Sequence, residues 1–124
     1  MPPHSISITN NKGGTGKTTT ALSLGGALVK KGMKVLLIDL DSQCNLTSSL
    51  GVAENEYHIG NFLLNQCEAA DLLTAVDSLT LIPGSPKLLE YEYLINNEPG
   101  REYLLKEAID KIPQEFDYVL IDCP

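Results

Sequence analysis

The chain has 124 residues, 43% apolar and 20% charged, the balance of a soluble globular protein long enough for one core. Nine basic against sixteen acidic side chains give a formal net charge of −7, which excludes a uniformly basic nucleic-acid binder. Three widely spaced cysteines, Cys44, Cys67 and Cys123, exclude a CxxC zinc site and a disulfide framework, and read as reduced thiols of a cytoplasmic protein.

Ser5-Ile6-Ser7-Ile8-Thr9 alternates as a strand does. A glycine-rich turn follows, residues 10–20, NNKGGTGKTTT, and then a helical pattern from Lys17. A glycine loop between strand and helix holds phosphate: Gly13, Gly14 and Gly16 let backbone N–H groups point inward, and the helix N-terminus adds partial positive charge. Lys17 supplies a full charge for the β- and γ-phosphates, and the Thr18 hydroxyl suits Mg²⁺. The general pattern G-x-x-x-x-G-K-[ST] requires glycine at position 11, where this chain has Asn11; it carries an additional lysine, Lys12, instead.

Residues 17–31 read as a helix, with Ala21, Leu24 and Leu28 at helical spacing and Leu22 and Val29 beside them. Gly32 is its C-cap, and the Lys30, Lys31, Lys34 cluster suits a helix C-terminus. Val35–Ile38 is continuously apolar, as in a parallel strand covered on both faces. Residues 59–66 and 67–76 read as two short helices, Leu79–Ile82 as a third strand stopped by Pro83-Gly84, and 86–96 and 101–112 as helices, the latter with Leu104, Leu105, Ala108, Ile109 and Ile112 on one face. Tyr118–Ile121 is a fourth strand ending at Asp122. Alternating strands and helices predict a single α/β nucleotide-binding domain over residues 1–124, with a parallel sheet flanked by helices. His4 and His58 belong to no constellation and are expected on the surface or in loops; Tyr91, Tyr93 and Tyr103 are expected to pack on the later helices.

Ligands of such sheets sit beyond the carboxyl ends of the strands. Asp39 and Asp41 follow the second strand and Asp122 ends the fourth, so all three carboxylates gather on the phosphate side. Carboxylates beside a triphosphate imply a cation, hence Mg²⁺. Asp122 fits a Walker B aspartate, Asp41 is placed to orient an attacking water, and Asp39 to support either the Mg²⁺ waters or the loop.

Lys12-Gly13-Gly14-Thr15-Gly16-Lys17-Thr18-Thr19 resembles the deviant Walker A motif of the ParA/MinD ATPases. Residues 35–47, VLLIDLDSQCNLT, resemble the family's second motif, and 118–124, YVLIDCP, its Walker B segment. The Asp-x-Asp-x-Gln-x-Asn-Leu-Thr run resembles the ParA/Soj-like chromosome and plasmid partitioning branch. Asn11, Ser42 and Cys44 stand where the family commonly has glutamine, proline and glycine, and Cys44 puts a side chain where a backbone-permissive residue is expected.

The resemblance implies a P-loop fold and an ATP- and Mg²⁺-dependent dimerisation switch. Lys12, Gly13, Gly14, Thr15, Gly16, Lys17, Thr18 and Thr19 would bind the nucleotide, Thr18, Asp39 and Asp122 would serve the metal, and Lys12, Lys17 and Asp41 would serve hydrolysis. Lys12 would reach a second subunit's phosphates, as an arginine finger does. The implied partners are a second copy of the chain, a ParB-like centromere-binding protein and non-specific DNA, the last through a C-terminal half not present here, with nucleoid association and no membrane span. Alternatives within the resemblance are a MinD-like ATPase or exopolysaccharide tyrosine kinase, or a nucleotide-binding fragment without turnover; an iron-protein reductase is disfavoured, for want of suitably placed cysteines. The resemblance covers the N-terminal half of such a protein. It implies the strand order third, second, fourth, first, leaving the first strand as an open edge through which the chain would associate.

Overall fold

The computed structural model describes residues 3–8, 16–53, 55–91 and 101–123. Its five strands form one sheet in the order β1-β5-β2-β4-β3. They are β1 (His4–Ile8), β2 (Val35–Asp39), β3 (Thr74–Val76), β4 (Leu79–Ile82) and β5 (Tyr118–Asp122). The helices are α1 (Gly16–Lys30), α2 (Asn45–Ser49), α3 (Ile59–Leu63) and α4 (Arg101–Asp110), with a 3₁₀ turn at Ala69–Asp71. The expected order of the four longer strands is the one found, and β1, β5, β2 and β4 run parallel. The fold is a P-loop-type α/β sheet flanked by helices.

The centre of the sheet follows from composition. Every residue of β2 is buried, and β5 is buried from Val119 onward, because helices cover both faces. One apolar layer joins Ala21 of α1 to Leu37, Leu81 and Leu120; the other joins Leu36, Ile38, Val119 and Ile121 to Ile59, Phe62, Ala108 and Ile112. Gly25 of α1 lets the helix approach: a Cβ there would already touch Leu37 and Leu79 at 3.4 Å. Gly32, at φ 83°, ends this helix as expected. β1 lies at the edge of the described sheet, with His4 to Ser7 exposed.

Two local expectations change, and a third is sharpened. Residues 67–76 are not a helix: only the 3₁₀ turn at Ala69–Asp71 is helical, and Thr74–Val76 is a strand. That strand pairs antiparallel with β4, Val76 opposite Leu79, through a two-residue turn at Asp77 and Ser78. Asp77 takes φ 53°, the left-handed conformation that such hairpin turns require and that Asp tolerates. His58 lies in a loop, one of its two expected placements, but is buried there, 2% exposed. Its Nδ1 accepts the Gly60 N–H at 3.1 Å, capping α3, while the Asn61 side chain accepts the His58 N–H at 3.0 Å. Its ring meets Tyr91 edge-on at 4.8 Å. Tyr103 is 60% exposed rather than packed. Tyr93 and most of the helix expected at 86–96 lie outside the described residues, which show helix at 88–91.

Candidate functional site

Register brings the carboxylates together. Asp39 and Asp122 are opposite each other at the ends of β2 and β5, and Ile8 of β1 is opposite Asp122 on the other side. The chain leaving β1 therefore re-enters as α1 beside both strand ends. Gly16, Lys17, Thr18 and Thr19 open α1. Asn11, Lys12, Gly13, Gly14 and Thr15 lie outside the described residues.

The Lys17 ammonium is the hub. It donates to Asp41 Oδ2 at 2.8 Å, stands 2.9 Å from Asp122 Oδ1 and donates to the Cys123 carbonyl. Its side chain is 6% exposed and that of Asp122 is fully buried. Burial alone would lower the Lys17 pKa, but the hydrogen bonds and charges of Asp41 and Asp122 outweigh it and the net direction is up. Burial likewise would raise Asp41, yet the Lys17 hydrogen bond, the Gln43 N–H and the Lys17 charge hold it below the usual carboxylate range. Lys17 is therefore a cation and Asp41 an anion at neutral pH.

Thr18 Oγ1 donates to Asp122 Oδ2 at 3.2 Å. The buried Asp122 Oδ1 faces the Lys17 ammonium and has no further polar partner among the described residues. A hydroxyl, a buried carboxylate and a helix start nearby fit Mg²⁺, which takes one or two protein oxygens and completes its shell with phosphate and water. Among the described residues no group of three or more His, Cys, Asp or Glu could enclose a metal, so a cation here needs the phosphate oxygens as well.

Asp39 turns to the chain's own donors. It is fully buried. Oδ2 accepts from the Thr47 N–H at 2.9 Å and the Thr47 hydroxyl at 2.6 Å, and Oδ1 from the Asp41 N–H at 3.2 Å. Gly84 closes over it, since a Cβ there would stand 2.9 Å from Asp39 Cγ. Both oxygens face the chain's own donors, which tie the carboxylate to the segment 41–47. Burial raises the Asp39 pKa, the Thr47 and Asp41 hydrogen bonds oppose this, the Asp122 charge adds to it, and the net direction is up.

The loop between β2 and α2 is a tight turn. Asp41 Oδ1 accepts the Gln43 N–H at 3.0 Å, and the Asp41 carbonyl accepts the Cys44 N–H at 2.9 Å. Cys44 sits at φ 58°, the left-handed conformation that glycine adopts without strain. Thr47 and Gly84 were not singled out by sequence reasoning. Thr47 stood inside the quoted motif and Gly84 read only as a strand stop; their joint role depends on β4 ending beside β2.

A family model described as an AAA domain matches residues 3–124. The sporulation initiation inhibitor protein Soj of Bacillus subtilis is 41% identical over 123 residues, which are 96% of this chain and 49% of that protein. The chromosome partitioning protein ParA of Myxococcus xanthus is 38% identical over 123 residues, 96% of this chain and 44% of that protein. The crystal structure of cobyrinic acid a,c-diamide synthase from Mycobacterium smegmatis with bound ATP analog and magnesium superposes with a TM-score of 0.91 at 40% identity, covering 98% of this chain and 51% of that one. The chain thus spans about half the length of the curated relatives it matches. No helix among the described residues is long and apolar enough to cross a membrane. With its fold, the order of its motifs and these likenesses in agreement, the chain belongs to the AAA-domain family, in its ParA/Soj-like branch.

Proposed function

We propose that this chain binds MgATP and carries the hydrolytic groups of a nucleotide-gated dimerisation switch serving chromosome or plasmid partition. The observation that carries the reading is the convergence of Lys17, Thr18, Asp41 and Asp122 at adjoining strand ends, where Lys17 touches both carboxylates. The magnesium and ATP analog of the M. smegmatis structure support the choice of ligand. The names of the B. subtilis and M. xanthus relatives support the role in partition.

In this reading Thr18 and Asp122 hold Mg²⁺, directly or through water, and Asp39 stands behind them as loop support. The metal, when bound, offsets the charge of the β- and γ-phosphate oxygens. Gly13, Gly14, Thr15, Gly16 and Thr19 cradle the phosphates. Lys17 has three donors and three acceptors, so a phosphate oxygen reaching Nζ takes the place of one acceptor. Exchange of Asp41 is the productive one: it puts the cation on the nucleotide and frees an anionic carboxylate to orient the attacking water. Lys12 serves the neighbouring subunit's phosphates, which makes the dimer the hydrolytic unit. A ParB-like protein and non-specific DNA are the partners of that dimer.

The test is a calorimetric titration of the chain with MgATP and MgADP, followed by turnover. Binding heat that disappears in Lys17→Ala, with ATP hydrolysis lost in Asp41→Ala, supports the reading. No heat with either nucleotide overturns it, and binding without turnover reduces it to a nucleotide-binding module.

A further inference from the structure

Asp41 does not hold its own position. Its N–H donates to Asp39 Oδ1 at 3.2 Å, and Asp39 is in turn gripped by Thr47 through both its N–H and its hydroxyl. The Thr47 hydroxyl is used twice: it donates to Asp39 at 2.6 Å and accepts the Gly84 N–H at 2.9 Å. Asp39 ends β2, Gly84 follows β4, and Thr47 lies in α2. One buried hydroxyl thus joins three separate segments at the foot of the Asp41 loop. Thr47 is 4% exposed and Asp39 0%, so water cannot replace that hydroxyl without opening the structure. The Cβ of any other residue at position 84 would stand 2.9 Å from Asp39 Cγ and 3.0 Å from the Asp39 carbonyl oxygen, so the fit around the carboxylate is tight on the β4 side too.

We infer that Thr47 is a positioning residue for hydrolysis: its hydroxyl fixes the Asp39 carboxylate against Gly84, and Asp39 fixes the backbone of Asp41. This rests on the reading that Asp41 orients the attacking water. A carboxylate that must aim a water within hydrogen-bond reach loses rate steeply when its support loosens, whereas phosphate binding through Lys17 and the glycine loop does not pass through Thr47. Valine keeps the shape of threonine and removes the hydroxyl; serine keeps the hydroxyl and removes the methyl.

The experiment combines amide hydrogen exchange with MgATP binding and turnover in wild type, Thr47→Val, Thr47→Ser and Asp41→Asn. The expected result for Thr47→Val is at least tenfold faster exchange at the Asp41 amide, with the Leu37 and Leu120 amides of the central strands unchanged. Its kcat falls about tenfold while nucleotide affinity stays within twofold, and Thr47→Ser restores both exchange and kcat. An unchanged Asp41 amide in Thr47→Val, equal acceleration at Leu37 and Leu120, or failure of serine to rescue overturns the inference. If Asp41→Asn turns over ATP like wild type, the reading of Asp41 fails instead, and the exchange measurement still decides whether Thr47 holds the loop.

Discussion

Replacing Lys17 by methionine isolates the charge at the centre of the site. Methionine matches lysine in helix propensity, so α1 itself is not weakened. At an effective dielectric of about 20, the contacts of 2.8 and 2.9 Å are each about 6 kcal/mol of raw attraction. Desolvating one cation and two carboxylates costs several kcal/mol per ion, so the intact cluster is close to neutral in net terms. Removing the cation alone is different, because it leaves Asp122 fully buried and Asp41 mostly so without their counterion. The expected loss is about 3–5 kcal/mol at pH 7. With a urea slope of about 1.5 kcal/mol/M, the unfolding midpoint drops by roughly 2–3 M. The sign with pH follows from Asp41. Burial would raise its pKa, the Lys17 hydrogen bond and charge win, and its folded value lies below the unfolded one. Its stabilisation is therefore present above the unfolded value of about 4 and lost as pH falls through the folded value. Lys17, whose folded pKa is raised against the pull of burial, contributes below about 10 and loses that contribution only at higher pH. The gap between wild type and Lys17→Met is thus wide from pH 5 to 9 and narrows toward pH 2.5. Urea titrations followed by circular dichroism across that range decide it. A gap below about 1 kcal/mol at pH 7, or one as large at pH 2.5 as at pH 7, refutes the argument.

Gly84→Ala drives a methyl against Asp39 Cγ and its carbonyl oxygen at 2.9–3.0 Å, where only backbone or a buried carboxylate can give way; the expected cost is about 1–3 kcal/mol, read as a lower thermal midpoint. Cys44→Gly relieves a left-handed φ of 58°, which costs a non-glycine residue about 1–2 kcal/mol, against the greater unfolded-state freedom of glycine, about 0.5–1 kcal/mol; the midpoint should rise slightly, and a fall would show that the Cys44 side chain stabilises the loop. Asp122→Asn should weaken nucleotide binding in Mg²⁺ more than in EDTA, measured by calorimetry in both buffers. Asp41→Asn removes the anion that competes for Lys17, so nucleotide should bind more tightly while turnover falls; weaker binding would contradict the exchange proposed at Nζ.

The parallel core was legible because its signal is compositional. Val35–Ile38 is apolar without alternation, and a strand with that pattern must be covered on both faces, which is how β2 is found. The hairpin was missed because β3 has only three residues, Thr74, Ala75 and Val76, too few for any periodicity to show. Its real marker was Asp77-Ser78 at the turn, a two-residue signal weaker than Asn-Gly. The burial of His58 was hidden for another reason. A lone histidine carries no sign of which nitrogen finds a partner, and its burial depends on Tyr91, far along the chain, closing over the ring.

At the site, sequence position says which residues can do chemistry, but only topology says which of them meet. Asp39 and Asp41 lie two residues apart on the same strand end, and nothing local distinguishes their roles. The distinction comes from neighbours. β4 sits beside β2 and brings Gly84 onto Asp39, so that carboxylate is shut behind Thr47. β5 is inserted between β1 and β2, so Asp122 and the start of α1 lie on the side of β2 that Asp41 faces, and Lys17 reaches both carboxylates. Two aspartates with the same intrinsic acidity are thereby pushed in opposite directions, Asp39 up by burial and Asp41 down by Lys17. Opposite shifts of neighbouring carboxylates divide labour within a site. In the proposed function, the carboxylate held beside the cation acts on the reacting water, and the one enclosed by the chain's own donors holds the other in place.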